Sequence, residues 1–339
     1  LCFNFFWQSN NHKKLTLVRT KSYNKYLKLK RLLLQEFMLS KEPISYPKRL
    51  LDLALKKGPL PVVVINAHEA LPMQSSKEAC EMGLIQPILI GEDTRIKSIA
   101  KKINWDLENI EIINTNSDQD SVKEGAVLAK ENKVKIIIKG HIHTDSYMEN
   151  LLKREFRLIS KRRISHIWHM SKPNSDKSII ITDGAVNILP KLETKMDILL
   201  NAVEFAHKIG IQRPKISILS GSEDVRERMP SSIDADKLTK KAQTLIKNAD
   251  VFGPLAFDNT VSLESASIKG IKNKVAGNAD IILVPNIETG NALVKMMVYY
   301  MSACAAGVVV GAKVPFVLTS RSDGNAARLA SIAAAVICA

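Results

Sequence analysis

The sequence predicts an α/β protein of two domains, each a doubly wound parallel sheet with helices on both faces. Three observations predict it. Short apolar runs alternate with helix-length segments along most of the chain. Those runs are apolar at successive positions, as strands covered by helices on both sides are. Hydrophobic residues make up 45% of the chain but aromatic residues only 5%, a small-aliphatic composition suited to helix layers packed on sheets. A length of 339 residues accommodates about two domains.

The elements follow in order. After the Gly58-Pro59 break, residues 61–67 (PVVVINA) read as a buried strand and 74–82 as a helix. Residues 88–90 give a second strand, 93–103 a helix and 110–113 a third strand. Helix 118–131 repeats apolar residues at Val122, Ala126 and Ala129, close to the 3.6-residue period, and 134–138 is a fourth strand. A second series begins near residue 160, with strands at 164–170, 178–182, 215–219 and 281–284. Its helices fall at 194–209, 235–248 and 291–301. The apolar stretch 292–310 contains Lys295 and ends in glycines, so it reads as a buried helix and strand rather than a membrane span. Strand 315–318 and helix 326–336 complete the chain.

The net charge of +15 would ordinarily suggest nucleic acid or acidic lipid. Its distribution argues otherwise. Before Met38 stand eight basic residues, from Lys13 to Arg31, against the single acid Glu36. That segment therefore carries seven of the fifteen surplus charges. The moderately basic remainder suits an enzyme acting on small anions, and neither a nucleic-acid nor a membrane partner is expected. Residues 1–37 lack the turn-punctuated pattern of the body and read as a basic extension, disordered or non-native. Four cysteines, Cys2, Cys80, Cys304 and Cys338, show no CxxC pairing, which fits a reducing compartment and buried thiols.

The segment Val314-Pro315-Phe316-Val317-Leu318-Thr319-Ser320-Arg321-Ser322-Asp323 carries the clearest chemical signal. A β-branched run ends in Thr-Ser-Arg just before a small-residue helix. That places a hydroxyl, a guanidinium and a carboxylate where a strand meets a helix N-terminus, a position that favours anions, and Arg321 adds the option of bidentate phosphate recognition. The plain alternative is a surface loop with Ser322 or Asp323 capping the helix. The His141-Ile142-His143 pair invites a metal, but no third ligand has a matching spacing, so no metal is expected.

From Gly253 onward further motifs accumulate: GPLAFDN, VAGNADIILVP, ETGN and AGVVVGAKVPFVLTSR. Upstream stand Lys139-Gly140-His141-Ile142-His143-Thr144-Asp145, Ser165-His166 and Thr182-Asp183-Gly184-Ala185-Val186-Asn187. Together, over roughly residues 45–339, they resemble the phosphate acetyl/butyryltransferase family; several motifs in one order are hard to obtain by chance.

The resemblance implies the two-lobed fold shared with isocitrate and isopropylmalate dehydrogenase-like enzymes. The first lobe would comprise 38–159 with the returning segment 308–339, and the second 160–307, around an inter-lobe cleft. It implies reversible exchange of CoA for phosphate on a short acyl group. The expected partners are acyl-CoA, phosphate and acyl phosphate, with no cofactor beyond CoA as substrate. A cytoplasmic homodimer or higher homo-oligomer is the family expectation.

Carried across, Ser320 contacts the thiol region of CoA and Arg321 the phosphoryl group. The aspartate that acetyltransferase members use as thiol base falls on Ala327 here, so that role does not carry over. Asp323, which matches the butyryl-like branch, takes the base role or orients the site, with helix capping the equal alternative. Gly140, His143 and Thr144 match the family's Gly-x-x-His-Thr feature and line the cleft. The arginine many relatives place six or seven residues later is replaced by Glu149 and Asn150, and Arg163 with Arg162 offers partial compensation. Asp258, Asn259, Gly290 and Asn291 are assigned to substrate binding. Asp183 and Asn187 shape the cleft or pack the lobes. Two competing readings stand beside this one. A dehydrogenase of the same fold lacks a Gly-x-Gly-x-x-Gly turn here, and a non-catalytic ligand-binding or scaffold relative is kept open by Ala327.

Overall fold

The computed structural model describes residues 40–159, 162–173, 175, 177–320 and 323–339. The basic segment 1–37 and Arg321 lie outside the described residues.

Eleven strands form one continuous sheet in the order β3-β2-β1-β4-β11-β10-β5-β6-β9-β7-β8. They are β1 (Leu60–Ile65), β2 (Ile85–Gly91), β3 (Glu111–Asn114), β4 (Ile136–Lys139), β5 (Ser165–Ser171), β6 (Ser178–Thr182), β7 (Lys215–Leu219), β8 (Asp250–Leu255), β9 (Ile281–Leu283), β10 (Cys304–Val310) and β11 (Phe316–Val317). Neighbouring strands in the run β3-β2-β1-β4-β11 pair in parallel, as do those in the run β6-β9-β7-β8. Between these halves, β10 pairs antiparallel with both β11 and β5, and β5 antiparallel with β6. Three reversals make the strands of one half run opposite to those of the other. The two doubly wound halves expected from sequence are thus joined edge to edge into one mixed sheet.

Period-two alternation along the central strands separates the two faces. On one face Val62, Val64, Ile136, Ile138, Ile167, Ile180, Cys304, Ala306 and Val308 belong to a single core spanning both halves. The helix Asn325–Cys338 lies across it, buried at every position from Ala327 onward, and packs on β10 and on helices Lys48–Leu55 and Ala70–Glu81. Its alanines allow that close approach. On the other face the core is split. Val63, Ile65, Ile137 and Phe316 pack under helices Asp118–Lys130 and Thr144–Leu151, whereas Met170, Ile181, Ile282 and Val284 form a separate group beneath helix Ile287–Met301.

Most expected elements occur with ends shifted by a few residues. The expected helix 235–248 begins earlier, at Pro230, where a proline fits the first turn. β8 has no counterpart in the expected strands because it contains Gly253-Pro254. Proline is tolerated there because β8 is the edge of the sheet.

Candidate active site

A cavity of about 650 Å³ opens between the two separated cores, with Ile142 and Leu318 on one side and Trp168, Val294 and Ala305 on the other. Three chain segments supply its polar groups.

The first is the exit of β4. The strand is apolar and buried until Lys139, which is 3% exposed and lines the cavity. Gly140 follows, and its N–H donates to the Ile65 carbonyl at 2.8 Å. A β-carbon there would stand 2.4 Å from the carbonyl oxygens of Ile65 and Asn66, so only glycine lets β4 leave the sheet this close to β1. The chain then enters helix Thr144–Leu151, and Thr144 reaches the cavity wall.

The second is the turn after β11. Arg328, 5% exposed on the last helix, anchors it with three bonds. Its Nη1 donates to Thr319 Oγ1 at 2.7 Å, Nη2 to the Ser320 carbonyl at 2.7 Å and Nε to the Asp323 carbonyl at 3.1 Å. A planar guanidinium suits this three-point grip. Asp323 Oδ2 accepts the Ser320 N–H at 2.7 Å. Burial pushes the Asp323 carboxyl above its ordinary value; the Ser320 N–H and the charges of Arg328, Lys139 and Lys295 oppose that shift without cancelling it.

The third is helix Ile287–Met301. Asn286 caps it, with Oδ1 accepting the Thr289 N–H at 3.0 Å. Gly290 presses against the loop after β6, where a β-carbon would meet Gly184 Cα at 2.7 Å. That loop is pinned by Asp183, whose carboxylate accepts N–H groups from His166, Ala185 and Val186 and from the Asn187 side chain. Seated this way, the helix turns one stripe of Asn291, Val294, Lys295, Val298 and Tyr299 toward the cavity.

Of the residues singled out from sequence, Ser320, Asp323, Thr144 and Asn291 line this cavity. Gly290 seats the helix rather than lining the wall, and it lies inside the first turn because the helix starts at Ile287, not at residue 291. His143 immediately precedes helix Thr144–Leu151, is exposed and is not on the cavity wall. Arg163 is exposed, and its N–H donates to Asp197 Oδ2 at 3.0 Å. It precedes the end of β5 that pairs with Val310, whereas the cavity takes Ala303 and Ala305 from the opposite end of β10.

Asp258 and Asn259 are also placed elsewhere. Asp258 pairs with Lys269 at 3.1 Å, which holds its carboxyl below the ordinary range, and Asn259 is fully buried and donates to Glu223 Oε2. They follow β8, three strands beyond β6. At just under 5 Å per strand, that is about 14 Å to the side.

Lys139, Lys295 and Arg328 were not singled out from sequence as site residues. A lysine ending an otherwise apolar buried strand was the available signal for Lys139. For Lys295 it was the helical spacing from Asn291. An arginine within an Ala-rich helix marked Arg328.

The chemistry of this wall is consistent. Two ammonium groups favour anions, a carboxyl held above its ordinary pKa by burial is a stronger base once ionised, and an apolar surface adjoins both.

Residues 117–336 match the family described as Phosphate acetyl/butaryl transferase. A phosphate acetyltransferase of Rhizobium meliloti is 39% identical over 297 residues, covering 87% of this chain and 94% of that protein. A phosphate butyryltransferase of Clostridium acetobutylicum is 36% identical over 279 residues, covering 82% of this chain and 93% of that one. Among solved structures, a branched-chain phosphotransacylase from Enterococcus faecalis V583 superimposes with a TM-score of 0.72 at 32% identity, covering 82% of this chain and 98% of the other.

Proposed function

This chain belongs to the phosphate acetyl/butyryltransferase family and is an acyltransferase that moves an acyl group reversibly between CoA and phosphate, and we propose that the transfer occurs in the 650 Å³ cavity. The observation that carries this assignment is the convergence of Ser320 and Asp323 with Lys139, Asn291 and Lys295 on one cavity wall.

In the direction of acyl-phosphate formation, a phosphate oxygen attacks the thioester carbonyl carbon. The new C–O bond gives a tetrahedral oxyanion, the C–S bond then breaks, and the CoA thiolate departs and takes up a proton. In reverse, Asp323 removes the proton from the CoA thiol, whose pKa of about 8.5 leaves it mostly protonated at neutral pH. The thiolate attacks the acyl phosphate, and phosphate leaves. A carboxylate of ordinary pKa is a poor base for a thiol; the partial burial of Asp323 narrows that gap.

Lys139 and Lys295 offset charge on phosphate and on the oxyanion, and Ser320 positions the sulfur. Arg321 is assigned the phosphoryl contact on the sequence motif alone. The transfer moves no electrons between redox centres, and no cofactor beyond CoA as substrate is proposed.

We divide the chain into a lobe of 38–159 with 308–339 and a lobe of 160–307. The position of β11 beside β4, with β5 to β9 beyond β10, supports that division. A homodimer is proposed through the exposed side of helix Ile287–Met301, where Met296 is 59% and Tyr300 44% exposed. No helix among the described residues is long and apolar enough to cross a membrane, and a cytoplasmic location is proposed.

The test follows thioester absorbance with acetyl-, propionyl- and butyryl-CoA, with and without phosphate. Phosphate-dependent loss is expected. Arg321→Ala should raise the KM for phosphate far more than Lys191→Ala. Loss independent of phosphate, or equal small effects from both variants, would sink the proposal.

A further inference from the structure

Helix Ala70–Glu81 stands behind the cavity wall, packed along the last helix, Asn325–Cys338. Its residues Gln74 and Glu78 lie one turn apart on the same face, and Gln74 Nε2 donates to Glu78 Oε1 at 3.0 Å. The other carboxylate oxygen, Oε2, accepts the side-chain amide N–H of Asn325. Glu78 is half-buried and does not line the cavity, whereas Asn325, Ala326 and Ala327 do. An ionised carboxylate only accepts, so the amide must turn its NH2 group toward Glu78. Asn325 Oδ1 is then left buried with no partner among the described residues. A buried acceptor without a donor is costly, and an apolar side chain at this place would avoid that cost. What the amide supplies instead is a tie between two helices.

The tie matters because of where it is made. Asn325 opens the last helix, and Arg328, three residues on, grips Thr319, Ser320 and Asp323. Glu78 therefore holds the first helical turn from behind, while Arg328 carries that hold to the turn after β11. We propose that Glu78 is a positioning residue for acyl transfer: through Asn325 and the first turn of the last helix it fixes Ser320 and Asp323 on the cavity wall. The inference rests on the base role given to Asp323 above. With the tie cut, the turn gains freedom and Asp323 becomes more exposed. Its carboxyl then moves down toward the ordinary range, because burial is what raises it. The groups facing Asp323 are Lys139 of β4, Lys295 of helix Ile287–Met301, Arg328 and the Cys304 thiol of β10. All four are retained in the variants below.

The experiment follows thioester formation from CoA with acetyl phosphate and with butyryl phosphate, as kcat and KM across pH. Glu78→Ala is expected to lower kcat about ten- to a hundredfold with little change in either KM. It should also move the rising limb of the pH profile to lower pH. Glu78→Gln keeps an acceptor for Asn325 without the charge and should restore both kcat and limb. Asn325→Ala cuts the same bond from the other side, so the double variant should lose no more than either single one. If circular dichroism shows Glu78→Ala unfolded, Asn325→Ala takes its place. A lowered melting temperature with kcat and limb unmoved, or additive losses in the double variant, overturns the proposal. So does a Glu78→Gln variant as impaired as Glu78→Ala. If Asp323→Asn leaves the limb in place, the base role itself falls. A limb that Asp323→Asn abolishes but Glu78→Ala does not shift removes the positioning role alone.

Discussion

Asp323 is held by two opposing demands. Its Oδ2 accepts the Ser320 N–H, which favours the charged form, while burial favours the neutral one and prevails. With the pKa above the free value of 3.8, the folded protein holds a proton that the unfolded chain has already released. Stability from this group is therefore fully present below the free value and is lost as pH rises through the folded one. The basic form needed to deprotonate CoA appears only above that higher pKa. In the acyl-CoA-forming direction, activity should therefore rise with pH along a limb lying above the ordinary carboxylate range. Asp323→Asn should remove that limb and reduce kcat by about 10²–10⁴. A pH–rate profile checks it, and an unchanged limb in the variant would remove Asp323 as the base.

At the scale of elements, the cavity depends on how closely one helix sits on one loop. Gly184 and Gly290 face each other with no room for a β-carbon on either, and that contact aims Asn291, Lys295 and Val298 inward. Gly290→Ala forces backbone apart, because its methyl would meet Gly184 Cα at 2.7 Å and Val284 Cγ2 at 3.0 Å. Overpacking of this kind costs about 1–3 kcal/mol, measurable by urea denaturation. It should also lower kcat/KM, since the helix carries substrate-facing groups. A variant of wild-type stability and activity would show that the Gly184–Gly290 contact does not position the helix.

Across the whole molecule, one face of the sheet has a core that runs through both halves and the other does not. The continuous face ties the halves together, and the interrupted face leaves the cavity between them. The helix bordering that cavity carries Met296 and Tyr300 exposed on its outer side, an apolar surface of the kind partners cover. Light scattering of the wild type should give the mass of a dimer. A Met296→Glu, Tyr300→Glu double variant should give the monomer mass. A wild-type monomer, or a variant dimer, would discard this interface.

The strand–helix alternation, the apolar continuity of β1 and β4 and the Thr319-Ser320 turn on the cavity wall were all legible in the residues, because each is set by neighbours within a few positions. Thr144, Ser320, Asp323 and Asn291 were legible for the same reason, as each lies where a strand gives way to a helix. Asp258 and Asn259 obey the same local rule yet lie three strands away from β6, because nothing local states a strand's place in the sheet. Lys139 and Lys295 reach the surroundings of Asp323 from segments far from it in the chain. Chain order alone determined which segments become strands and where anions are favoured at their ends. Only the packed sheet decided which of those ends share a cavity, because that depends on long-range pairing and on the order in which strands stand side by side.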